Sequence, residues 1–177
     1  AERKFQTYTL QFRIDNFFIG INPVKSSEAG TGGYLIEIYE EKSPSENIRR
    51  IFEVDETPVE IFDEIIKKKR MSNTNCYAAQ IEANTPEFDI IFNKTYGLKG
   101  KEKVYRRWWH VHGKVYGNFT SIIDIDGDGN PDRISYGDKT LELYSGKSFE
   151  KNKDMIAGGI KLFEKARKYF AENVGYF

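Results

Sequence analysis

The chain has 177 residues, enough for one domain with a substantial core. Its 27 lysines and arginines balance 27 aspartates and glutamates, so no global field draws it to nucleic acid or an anionic membrane. A single cysteine, Cys76, excludes an internal disulfide, and no apolar run approaches the length of a membrane span.

Taken in chain order, Phe5 to Ile14 alternates, with Tyr8, Leu10, Phe12 and Ile14 on one side, which predicts a half-buried strand. Residues 22–33 are rich in Gly and Ser and read as an exposed loop. Tyr34 to Glu40 and Ile48 to Val54 form a predicted hairpin around Ser43-Pro44-Ser45. Thr57-Pro58-Val59-Glu60 carries a capping box and opens a predicted helix to about Arg70. Cys76 to Glu82 is a further strand. Thr85-Pro86-Glu87 has the same helix-start chemistry and predicts a shorter helix with Phe88, Ile91 and Phe92, closed near Gly97.

From Lys103 onward the composition is β-branched and aromatic again. Strands are predicted at about Val104–Tyr116, Phe119–Ile125, Arg133–Tyr136 and Leu141–Tyr144. The last element, Lys153 to Asn173, has Ile156, Ile160, Phe163, Ala166 or Arg167, and Phe170 at helical spacing. Gly158-Gly159 weakens that helix unless a neighbour packs closely there. Together these predict a single α+β domain over 1–177. Its sheet is antiparallel or mixed, with two or three helices including a long C-terminal one.

The densest chemistry lies between the second and third of the late strands. Asp124, Asp126, Asp128 and Asp132 place carboxylates at positions 1, 3, 5 and 9 of a loop. Asn130 at position 7 can turn its backbone carbonyl inward, and Gly129 at position 6 permits the sharp turn. These five residues are the predicted metal ligands: Asp124, Asp126, Asp128, Asn130 and Asp132. Oxygen donors without Cys or His favour Ca²⁺ over softer metals, and Ca²⁺ tolerates more oxygens and looser angles than Mg²⁺.

Strand, Asp-x-Asp-Gly-Asp-Gly-x-x-Asp, strand resembles the calcium hairpin of FG-GAP and VCBS-type repeats over about residues 122–136. The resemblance implies that the aspartates and one loop carbonyl hold the ion, and that the protein works outside the cytoplasm. The loop also matches the first nine positions of an EF-hand, but Ser135 stands where that motif supplies a bidentate Glu. Ile122-Ile-Asp-Ile-Asp-Gly looks like the start of a haloacid-dehalogenase-type phosphatase. There Asp128 occupies the place where Thr or Val commonly stands.

His110 and His112, the chain's two histidines, lie two apart on a predicted strand and so share a face. They could bind zinc or copper if a third ligand approached. Trp108 shares their face and Trp109 takes the other; beside Arg106 and Arg107, one of the two is a candidate platform for a glycan or peptide. There is no Gly-x-Ser-x-Gly elbow. The chain begins at Ala1, which fits a cleaved signal peptide or a trimmed start. The functional expectation is therefore a calcium-stabilised extracytoplasmic binding or structural module that is not an enzyme. The alternative is a hydrolase or other metalloenzyme using His110 and His112, with calcium structural.

Overall fold

A computed structural model describes residues 9–24, 33–54, 76–99, 102–143 and 150–175. The predicted helix at 57–70 lies outside them. Ten strands form one sheet in chain order: β1 (Leu10–Ile14), β2 (Phe17–Val24), β3 (Gly33–Ser43), β4 (Glu46–Val54), β5 (Cys76–Asn84), β6 (Phe88–Lys99), β7 (Glu102–Val115), β8 (Asn118–Asp124), β9 (Arg133–Tyr136) and β10 (Lys139–Glu142). Every neighbouring pair is antiparallel. A short 3₁₀ turn, Glu150–Asn152, leads into α1 (Lys153–Asn173), the single α-helix among the described residues.

The protein is thus mostly β, which corrects the α+β expectation with two or three helices. The error lies at Thr85–Gly97. Thr85 does cap, but it caps a turn: its Oγ accepts the Phe88 N–H (3.1 Å) and donates to the Phe88 carbonyl (2.9 Å). That turn opens directly into β6, in which Phe88, Ile90, Phe92 and Lys94 alternate inward. Phe88 and Phe92 fit a period of four as well as a period of two. The buried Ile90, rather than Ile91, decides for the strand.

Strict alternation places one row of each strand on a common face. Ile36 and Ile38, Ile48 and Phe52, Ile81, Ile90 and Phe92, Val111, Ile122 and Ile134 are all 0 % exposed there. Helix α1 lies on this face against β6, β7 and β8, burying Ile156, Phe163, Ala166 and Phe170. Of the two residues read as alternatives, Ala166 is the core position. A side chain at Gly158 would meet Val115 Cγ1 at 2.6 Å, and one at Gly159 would meet Ile134 Cδ1 at 2.7 Å. The paired glycines thus let the helix sit directly on the sheet, the reason that offsets their low helix propensity.

Tyr136 Oη donates to Asn152 near the start of α1 (3.1 Å), and Tyr169 Oη donates to Glu46 near its end (3.1 Å). A helix of 21 residues is about 30 Å long, enough to cross five strand spacings of roughly 4.8 Å from β9 to β4. At the far edge, Leu10, Phe12 and Ile14 of β1 are 53, 38 and 45 % exposed, so the half-buried strand expected there is an exposed edge.

Candidate metal centre

Strands β8 and β9 pair from Thr120–Tyr136 to Ile123–Arg133, and residues 124–132 bridge their ends. The base of the loop is closed by backbone: Asp132 N–H donates to the Ile123 carbonyl (2.8 Å), and Leu143 N–H donates to the Asp132 carbonyl (2.8 Å). Strand β8 is followed by strand β9 and not by a helix, unlike the phosphatase motif it resembles over six residues.

Within the loop each carboxylate accepts a nearby N–H, which folds the chain into a tight spiral. Asp124 takes Gly127 (2.6 Å) and Gly129 (2.8 Å), Asp126 takes Asp128 (3.1 Å), and Asp128 takes Asn130 (2.7 Å). Asp132 takes Ile125 (2.7 Å). The result brings carboxylate oxygens of Asp124, Asp126 and Asp128 within 4.8 Å of one another, a group that could hold a metal ion. Asp132 stands outside that group. The Asn130 side-chain amide bonds to Asp128 Oδ2 at 3.2 Å.

The electrostatics divide the three. Asp124 is fully buried, and burial pushes its carboxyl above the usual range, aided by Asp128 and Asp126 and opposed by the two glycine N–H groups. Asp128 is held below the usual range by the Asn130 N–H and amide, with Arg167 adding to the effect. A buried carboxylate with two anionic neighbours is poised to be stabilised by a cation.

Two glycines make the spiral possible. Gly129 has φ +99°, as the sharp turn at position 6 requires. Gly127 has φ +71°, and a side chain there would meet the Arg107 carbonyl oxygen at 2.8 Å. Gly127→Ala is expected to cost about 2–3 kcal/mol in urea unfolding, from left-handed backbone strain plus a backbone clash. Gly137→Ala, also at positive φ (+56°) but with nothing within 4 Å, should cost about 1 kcal/mol.

Sequence reasoning missed the residue that docks the loop on the helix. Arg167 of α1 donates to the Gly129 carbonyl (3.0 Å) while its guanidinium lies 5.1 Å from the Trp109 ring centre and 5.9 Å from that of Phe163. Trp109 itself stands opposite Asp124 in the β7–β8 register. Helical spacing put Arg167 near the core, but only the crossing of α1 over β8 brings it to the loop.

The strand periodicity places the histidines and tryptophans as expected. Trp109 is the core tryptophan, 4.5 Å from Phe92 and 4.8 Å from Phe170 between ring centres. Trp108, His110 and His112 share the sheet's other face, where Trp108 is half-buried. The His110 and His112 rings are 4.0 Å apart, and His110 Nε2 lies 2.5 Å from Ser121 Oγ. Among the described residues, the Asp124 group is the sole cluster of three or more His, Cys, Asp or Glu ligands, and neither histidine belongs to it.

Burial, then the neighbouring His112, lowers the His110 pKa from 6.5 to about 4. The folded protein therefore binds fewer protons than the unfolded chain in this window. Stability is present above the unfolded value and falls as pH drops from 6.5 towards 4. With partial exposure discounted, the loss by pH ~5 is about 1 kcal/mol, read from melting curves against pH. His110→Gln should remove that slope while Asp89 and His112, facing it across the same surface, remain.

No family model, curated protein or solved structure matches the chain. Among the described residues, no helix is long and apolar enough to cross a membrane.

Proposed function

We propose that this protein is a calcium-stabilised, extracytoplasmic binding or structural module in which one Ca²⁺ cross-braces β8 and β9. The supporting observation is the convergence of Asp124, Asp126 and Asp128 within 4.8 Å, one of them buried. Asn130, through its backbone carbonyl, and Asp132 complete the proposed ligand set, giving the all-oxygen shell that hard cations take. Such a shell leaves little room for substrate, so the ion is structural and no reaction is assigned to it.

The extracytoplasmic location rests on the same loop. A loop that lacks the bidentate Glu of tighter sites fills where calcium is plentiful. The ligand-binding role falls to the sheet face opposite α1, where Trp108 offers an aromatic surface to a glycan or peptide. Isothermal titration with CaCl₂ tests the ion: wild type should bind one Ca²⁺ per chain, and Asp126→Ala should lose it. Absence of binding in the wild type would overturn the reading.

A further inference from the structure

The pair of histidines on β7 is a second candidate site, of different chemistry from the aspartate loop and independent of it. We propose that His110 and His112 together bind a borderline divalent metal ion, Cu²⁺ being the best match, on the face of the sheet opposite α1.

Three observations converge on this. Residues two apart on a strand project side by side, and here the centres of the two imidazole rings lie 4.0 Å apart, close enough for both rings to reach one ion at metal–nitrogen bonds of about 2.0–2.1 Å. Second, Ser121 on the adjacent strand holds His110 through Nε2. In the tautomer whose Nε2–H donates to the serine oxygen, the lone pair lies on Nδ1, and the ring is oriented from behind as metal-binding histidines usually are. Third, His112 is exposed and lines a cleft of about 500 Å³ with Asp89, Lys114 and Phe119, so an ion reaches it from solvent.

Imidazole nitrogen ranks these ions in favour of Cu²⁺, which accepts two nitrogens in a tetragonal shell and fills the rest with water. Asp89, directly across from His112 in the β6–β7 register, puts a carboxylate on the same face of the sheet. Calcium, a hard cation that takes oxygen, does not compete here.

The test is Cu²⁺ titration of the full chain carrying Cys76→Ser, which removes its one thiol, in millimolar Ca²⁺ to occupy the loop. Electron paramagnetic resonance should show one Cu²⁺ per chain with nitrogen ligation. Tryptophan fluorescence should be quenched, since Trp108 lies 6.3 Å from His110. His112→Ala, at an exposed position, and His110→Gln should each weaken binding about 10-fold or more. Copper uptake unchanged by His112→Ala, a spectrum with oxygen ligands only, or no quenching would overturn the proposal.

Discussion

Calcium at a thousand times its dissociation constant is expected to stabilise the protein by about 4 kcal/mol. For a chain of this length that corresponds to a melting temperature higher by roughly 8–16 °C, reversed by chelator. The loop joins β8 to β9 and is tied through Arg167 to α1, so an ion bound there would brace the sheet and its covering helix at once. Identical melting curves with calcium and with chelator would contradict it. Asp126→Ala gives a sharper version. Its carboxylate is exposed and accepts one N–H, from Asp128. In chelator its loss should cost under about 1 kcal/mol, because removing one of three clustered charges offsets the lost hydrogen bond. In calcium the same variant should lose most of the stabilisation, so the two curves diverge only when the ion is present.

Phe170→Ala is expected to destabilise by about 3–5 kcal/mol, measured by urea unfolding. Phe170 is 1 % exposed and meets two aromatic rings of the sheet, Trp109 edge-on at 4.8 Å and Phe92 at 5.8 Å. Its removal leaves a cavity that the rigid strands beneath cannot close. Phe119, 78 % exposed on the opposite face, is the comparison. Phe119→Ala should cost under about 1 kcal/mol, mostly its contact with the Lys114 ammonium at 5.0 Å. Equal losses in the two variants would mean that α1 does not depend on this packing.

Much of the strand content was legible because alternation is a local signal. The runs Tyr34–Glu40, Cys76–Glu82 and Arg133–Tyr136 all lie within strands, and Lys153–Asn173 matches α1 at both ends. The misreading at Thr85–Gly97 has a specific cause. A Thr that accepts N–H groups two and three residues on serves a helix start and a tight turn equally well. Whether the next residues extend or coil depends on whether strands wait on both sides, and for β6 they do. Likewise β1 has the alternation of a buried strand, yet its hydrophobic row lies at the sheet edge furthest from α1.

The candidate metal loop was written almost wholly in local spacing. Aspartates at alternate positions with glycines between them curl into a spiral through hydrogen bonds spanning two to five residues, so no distant contact is needed to converge Asp124, Asp126 and Asp128. Its surroundings were not legible. Burial of Asp124, the close approach of Gly127 to Arg107, and the hold of Arg167 on Gly129 join residues from 20 to 38 positions apart.

The sequence by itself determined the strands other than β2 and β6, the terminal helix, the acidic spiral and the shared face of His110 and His112, because each depends on periods and turns within about ten residues. Only the tertiary structure decided that the chain is one long antiparallel meander with α1 laid across it. It also decided that Trp109 is core while Trp108 is half-buried on the other face, and that Arg167 reaches the loop. Those outcomes depend on which strand neighbours which and where the helix crosses, and sheet register and helix placement are set by burial summed over the whole fold.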